Sequence, residues 1–133
     1  MSAKSRNKGS SFERQIAQEL FLLTGISFKR NLEQTREAAH GDLVADNPAW
    51  PFSCELKRRA AGISCLTAWK EQATRAAALT GKTACVIFKF DRQPIRVAVP
   101  LAALVAGADA EEWAEVTLEA FAFVAREMMA GAA

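Results

Sequence analysis

Three residues of this chain combine types and spacing that could do chemistry: Asp42, Glu55 and Lys57. Asp42 opens the run Asp42 to Ala45, and Glu55 with Lys57 lies in the run Phe52 to Lys57. The segment Asp46-Asn47-Pro48 between them is turn-forming, so the two runs predict an antiparallel hairpin. If Ala45 faces Phe52 across that turn, Asp42 lies opposite Glu55 on one rung. Opposed carboxylates destabilise a strand pair, so such a pair calls for a cation. Alternation then puts Glu55 and Lys57 on the same face as Asp42, with Phe52, Cys54 and Leu56 on the other.

Two hard oxygen ligands beside an ammonium are what phosphodiester hydrolysis requires. The carboxylates can hold Mg²⁺, with Mn²⁺ as a substitute, which coordinates phosphate oxygens and acidifies a bound water; the ammonium stabilises developing charge. One histidine and three cysteines without a CxxC pair argue against a zinc site. A plain exposed strand would also accommodate Glu-Leu-Lys, and a register slip of one residue would turn Asp42 to the opposite face.

The elements that must position these residues are legible around them. Residues 1 to 9 carry Lys4, Arg6 and Lys8 and read as a flexible basic arm. Ser10 then opens a helix in which Phe12, Ile16, Leu20 and Leu23 recur at helical spacing, and Gly25 stops it. Ile26 to Leu32 reads as a strand, followed by a polar loop ending at His40. A second helix is expected over Ser64 to Thr80, with Leu66, Trp69, Ala73 and Ala76 as its buried stripe and Gly81 closing it. Thr83 to Phe90 reads as a central strand, with Ile95 to Val99 pairing across the turn Asp91 to Pro94. Pro100 to Ala106 reads as one or two helical turns, and Asp109 with Glu112 as the start of a last helix reaching Met129. The expected order is α-β-β-β-α-β-β-α: one α/β domain over residues 10–133, with a core over 10–99 and a C-terminal helical segment over 100–130.

Composition narrows the function classes. The chain has 133 residues, half of them apolar and a quarter charged, which suits one soluble globular domain. No apolar run approaches the ~20 residues needed to cross a bilayer, so no membrane association is expected. The odd number of cysteines fits reduced thiols in a cytoplasmic protein. The net charge of +2 conceals a division. Through Val99 there are sixteen basic against nine acidic residues; from Pro100 onward Arg126 stands against six acids. One surface should attract an anion and another repel it. In the tail, Glu111, Glu115 and Glu119 would form one acidic helical face, while the apolar positions from Trp113 to Met129 suit packing on the sheet or between protomers.

Lys8-Gly9-Ser10-Ser11-Phe12-Glu13-Arg14, Gly41-Asp42-Leu43-Val44-Ala45 and Cys54-Glu55-Leu56-Lys57 together resemble the PD-(D/E)xK nuclease superfamily. Within it the chain is most similar to Holliday-junction resolvases of archaeal and phage type. The resemblance covers Lys8 to Phe90. It implies a restriction-endonuclease-like mixed sheet flanked by helices, here with an additional C-terminal helix. It further implies Mg²⁺-dependent endonuclease cleavage of DNA, four-way junctions as substrate, a homodimer, and a bacterial, phage-infected or archaeal cell as setting. Asp42 and Glu55 would be metal ligands, Lys57 the catalytic lysine and Glu13 the acidic contribution of the first helix. Glycine precedes Asp42 where the motif's name has proline.

Each of these residues also has a plainer role. Glu13, three positions after Ser10, would complete a capping box. Gln72, at the edge of the second helix's stripe, is either an ordinary boundary residue or the helix glutamine that related nucleases place near the site. Lys29, Arg30, Arg58 and Arg59, with Lys4, Arg6 and Lys8, suit contacts to phosphates that carry no sequence information; a charged strand end is the alternative for Arg58 and Arg59. Trp50 and Trp69 are expected in packing. Three other readings remain: a superfamily nuclease of restriction or repair type, a catalytically silent DNA-binding module, and an α/β protein that binds no nucleic acid, which absence of salt-sensitive DNA binding would favour.

Overall fold

The computed structural model describes residues 3–31 and 41–132, with side chains over 9–31 and 41–131. A four-stranded sheet forms the centre, in the order β3 (Phe52–Arg59), β4 (Thr83–Phe90), β5 (Arg96–Pro100), β6 (Trp113–Thr117). β3 and β4 are parallel and joined through α2 (Thr67–Ala78); the other pairs are antiparallel. A separate two-stranded antiparallel ribbon is made by β1 (Phe28–Arg30) and β2 (Leu43–Ala45).

Alternation along the strands divides the core in two, as the pleat requires. Cys54, Leu56, Cys85, Ile87, Val97 and Val99 face α1 (Ala3–Thr24) and α3 (Leu118–Ala132). Ala84, Val86, Phe88, Phe90 and Ala98 face α2, whose Ala73 and Ala77 let it lie close to the sheet. α1 buries Phe12, Ile16 and Leu20 at i, i+4 and i+8, and Gly25 ends it at φ 76°, its N–H donating to the Phe21 carbonyl at 2.8 Å. Trp50 packs edge-on against Phe28 and Phe121, with ring centroids 4.9 and 5.9 Å away, which ties the ribbon to α3.

Several sequence expectations are corrected. The helix starts at Ala3, not Ser10, so Lys4, Arg6 and Lys8 belong to its first turns and Ser10 caps nothing. Nothing in Lys4 to Lys8 breaks a helix, and one glycine at position 9 costs only about 1 kcal/mol. The side chains of Lys4, Arg6 and Lys8 lie outside the described residues, as does His40. The predicted hairpin does not form: β2 pairs with β1, with Val44 opposite Lys29, and β3 pairs with β4. A parallel partner such as β4 lies far along the chain, and local turn signals cannot announce it. The strand over 26–32 shortens to Phe28–Arg30 and the helix over 64–80 to Thr67–Ala78. Pro100 to Ala106 contains only a 3-10 turn at Leu101–Ala103.

The tail differs most. The helix expected from Asp109 is a strand followed by a later helix, and Asp109 caps a turn: its Oδ1 accepts from the Glu111 N–H at 2.8 Å. β6 covers the open edge of β5 and takes the segment from 113 to 117 out of the helix. The supposed acidic face is thereby broken up, with Glu115 on β6 and Glu119 in the first turn of α3. Phe121 and Ala125 are buried and Val116, Val124, Met128 and Met129 pack against the same core, so the apolar tail lies on the sheet of its own chain.

Candidate active site

β3 is the sheet edge nearest the ribbon, and its outward-pointing backbone groups are taken by the start of β2. Gly41 forms a single parallel bridge with Cys54. The Asp42 N–H donates to the Cys54 carbonyl at 2.8 Å, and the Leu56 N–H donates to Asp42 Oδ2 at 2.7 Å. The Asp42 carboxylate is therefore clamped at the level of Glu55 and Leu56, by the edge of β3 and not by a hairpin rung. Asn31 secures the other side: its N–H donates to the Asp42 carbonyl at 3.0 Å, and its Nδ2 to the Gly41 carbonyl at 2.7 Å.

Gly41 is required by this docking. It sits at φ 68°, and a Cβ there would lie 2.5 Å from the Cys54 carbonyl oxygen. Proline, fixed near φ −65°, cannot adopt that conformation at all. The departure from the superfamily's motif thus has a steric cause in this chain.

Glu55, Lys57 and Arg59 share the face of β3 that looks toward α2. Glu55 is 2 % exposed. Gln72, on α2, joins the Lys57 and Glu55 side chains: its Oε1 accepts from Lys57 Nζ at 2.8 Å, and its Nε2 donates to Glu55 Oε2 at 3.4 Å. A glutamine can do this because one amide carries both an acceptor for the ammonium and a donor for the carboxylate. Farther along the same face, the Arg59 guanidinium lies 5.8 Å from the centre of the Trp69 ring.

Asp42, Glu55, Lys57 and Gln72 are thus assembled in one place. Glu13 forms a 2.8 Å ion pair with Arg30, which links α1 to β1 opposite Leu43, the residue after Asp42. Arg58 pairs with Asp91 and donates to the Lys89 carbonyl, so it braces the strand end. Lys29 and Arg59 are solvent-exposed. Asn31 and the backbone N–H of Leu56 are the contributors that sequence reasoning misses. No residue pattern singles out an asparagine at the end of a short strand.

The donor set suits a hard divalent cation. Asp42 and Glu55 offer carboxylate oxygens, and among the described residues no three His, Cys, Asp or Glu side chains gather as a closed metal cage would need. Magnesium is ordinarily held by one or two carboxylates with water and substrate phosphate completing its shell. The cysteines do not compete. Cys54 and Cys85 are buried neighbours on β3 and β4 with sulfurs 3.4 Å apart, and burial raises the Cys85 thiol well above its ordinary value. Burial likewise pushes the Cys65 thiol up to about 11.

Comparison with known proteins bears on the family and the fold. Residues 4–129 match the family model of a phage PDDEXK endonuclease. Among solved structures, the chain is similar to Hjc, a Holliday junction resolvase from the archaeal hyperthermophile Archaeoglobus fulgidus. The TM-score is 0.55 at 23 % identity, over 89 % of this chain and 98 % of that one. No curated protein matches the chain.

Proposed function

The chain belongs to the phage PDDEXK endonuclease family, and we propose that it is a Mg²⁺-dependent endonuclease acting on branched DNA, with four-way junctions as its substrate. The observation that carries the catalytic reading is the Glu55–Gln72–Lys57 chain between β3 and α2, with Asp42 bonded to the intervening Leu56 N–H. The junction substrate is supported by the fold shared with a Holliday junction resolvase.

Asp42 and Glu55 would hold the metal, which supplies charge neutralisation at the phosphate and acidification of a bound water. Lys57 is a donor aimed from the same strand; with one N–H engaged by Gln72, its remaining protons are available to a phosphate oxygen whose charge grows in the transition state. Gln72 fixes the rotamer of Lys57, so the ammonium need not be ordered during reaction. The Asn31 and Leu56 bonds keep the Asp42 limb in place. Exposed Lys29 and Arg59 and the basic first turns of α1 suit phosphate contacts.

A homodimer fits the task, because a four-way junction offers two strands to cut symmetrically. The surface offered for it is the apolar groove of Leu104, Phe123, Val124 and Met128, beside exposed Val105. No helix among the described residues is long and apolar enough to cross a membrane.

The test is a substrate panel: four-way, three-way, flap and linear duplex DNA incubated with the protein and Mg²⁺. Junction cleavage that EDTA abolishes and Glu55→Gln removes is the expected result. Undiminished cleavage in excess EDTA refutes the metal assignment, and equal cleavage of linear duplex refutes the substrate.

A further inference from the structure

The connection from β3 to α2, residues 60–66, holds one large apolar side chain out in solvent: Ile63, 88 % exposed. A loose loop would explain that exposure, but this loop is tied down along its backbone. The Ala60 carbonyl accepts from the Asp91 N–H at 3.1 Å, and the Gly62 carbonyl from Gln93 Nε2 at 3.1 Å. The Ile63 carbonyl accepts from Arg96 Nη2 at 2.9 Å, and the Cys65 N–H donates to Glu115 Oε2 at 2.9 Å. Gly62 packs so tightly on Phe90 that a Cβ would lie 2.3 Å from the ring. Arg96 is itself fixed by Glu115 and Gln93 and lies 5.0 Å over the Phe88 ring. The β4–β5 turn, β5 and β6 thus hold the loop in one shape, and that shape presents Ile63 outward.

The surroundings indicate what it meets. Ile63 lies four residues past Arg59, the last residue of the strand that carries Glu55 and Lys57, on a loop that crosses toward β5 and β6. Arg59 is exposed, and Arg92, also exposed, projects from the adjoining β4–β5 turn. Arg92 is the only non-glycine residue described with a positive φ, 61°. Turns that need this conformation favour Gly, Asn or Asp, so an arginine here is costly to the backbone and leaves a cation at the rim. The acids at the rim, Asp91 and Glu115, are each already paired with an arginine. An apolar tip with a net positive rim is complementary to bases flanked by phosphates.

We propose that Ile63 is a wedge, held rigidly at the end of the catalytic strand to pack against unstacked bases at a DNA branch point, with Arg59 and Arg92 on the flanking phosphates. Apolar side chains that enter base steps do so where stacking is already broken or cheaply broken, and a branch point is such a place. The inference rests on the branched-DNA reading above and names the residue that would sense the branch.

The experiment compares wild type, Ile63→Ala and Ile63→Leu on a four-way junction carrying 2-aminopurine at the branch point and on a linear duplex of the same arm sequence. Wild type and Ile63→Leu should raise the fluorescence on binding the junction. Ile63→Ala should not, and should bind and cleave the junction roughly tenfold more weakly while linear-duplex affinity stays unchanged. Because Ile63 touches solvent, thermal stability should be the same in all three. Wild-type junction affinity in Ile63→Ala overturns the proposal, as does an equal loss on both DNAs. A change of oligomeric mass in Ile63→Ala also overturns it, making the loop a contact between copies. A wild-type protein that binds both DNAs equally refutes the branched-DNA reading and removes the wedge's target with it, a result visible before any variant is compared.

Discussion

Replacing Gly41 by alanine should damage the active site without touching a functional side chain. Two costs add. The left-handed conformation at φ 68° costs an L-residue about 1–2 kcal/mol. The new Cβ also meets the Cys54 carbonyl oxygen at 2.5 Å, a backbone atom that cannot swing aside, so the start of β2 must move off β3 by about half an ångström or more. That movement stretches both bonds that clamp Asp42, from its N–H to Cys54 and from Leu56 to its Oδ2, at about 1 kcal/mol for one of them lost. The expected stability loss is about 2–3 kcal/mol. A displacement of this order at the carboxylate proposed to hold the metal should lower single-turnover cleavage about 100-fold. Gly25→Ala is the matched control: φ is 76°, but nothing lies within 4 Å of its added Cβ. It should lose about 1–2 kcal/mol from φ alone and keep its cleavage rate when measured under folding conditions. Urea denaturation and single-turnover cleavage at saturating protein read both quantities. If Gly41→Ala cleaves like Gly25→Ala, the steric docking of Asp42 on β3 does not govern the site.

Lys57→Ala should lose about 100- to 1000-fold in cleavage while the salt slope of junction binding falls by only about one unit, checked by single-turnover rates beside a salt titration. Wild-type cleavage in that variant would displace the active-site assignment. Ser53→Ala should be neutral or stabilising by about 1–2 kcal/mol in urea denaturation, because the Ser53 hydroxyl is buried without a hydrogen-bond partner. The Cys65 thiol, pushed up to about 11 from 9.0 by burial, keeps its proton in the folded chain where the unfolded chain has lost it. Its contribution is therefore complete below pH 9 and declines as pH rises toward 11, so denaturation midpoints should fall across that window and fall less in Cys65→Ala.

Sequence reasoning singles out the candidate side chains more readily than the strands that carry them, for a reason visible in two places. Asp42, Glu55 and Lys57 stand out because the hydrolysis proposed for them needs those side-chain types, whatever backbone delivers them. The hairpin expected to deliver them was inferred from a turn and two short runs, which are local signals. The actual partners of β2 and β3 lie in β1 and in β4, chosen by which faces must be buried. The tail repeats the lesson: a capping pattern at Asp109 and helical spacing of acids predict one long helix, but the open edge of β5 takes Trp113–Thr117 as a strand. Where burial decided locally, as with Phe12, Ile16 and Leu20 on α1 or the run Thr83 to Phe90, reading and structure coincide.

The two halves of the site are consequently held by unequal means. Glu55 and Lys57 stand on a strand paired with β4 over its whole length, from Phe52 to Arg59, and are bridged by an amide from α2. Opening them requires breaking the central sheet. Asp42 meets β3 outside any ladder, through the Gly41–Cys54 bridge and its bond to the Leu56 N–H, with Asn31 bonded behind it. Segments with few cooperative bonds open at lower free energy than those inside a ladder. The docking of Gly41 against Cys54 therefore decides whether both carboxylates stand together.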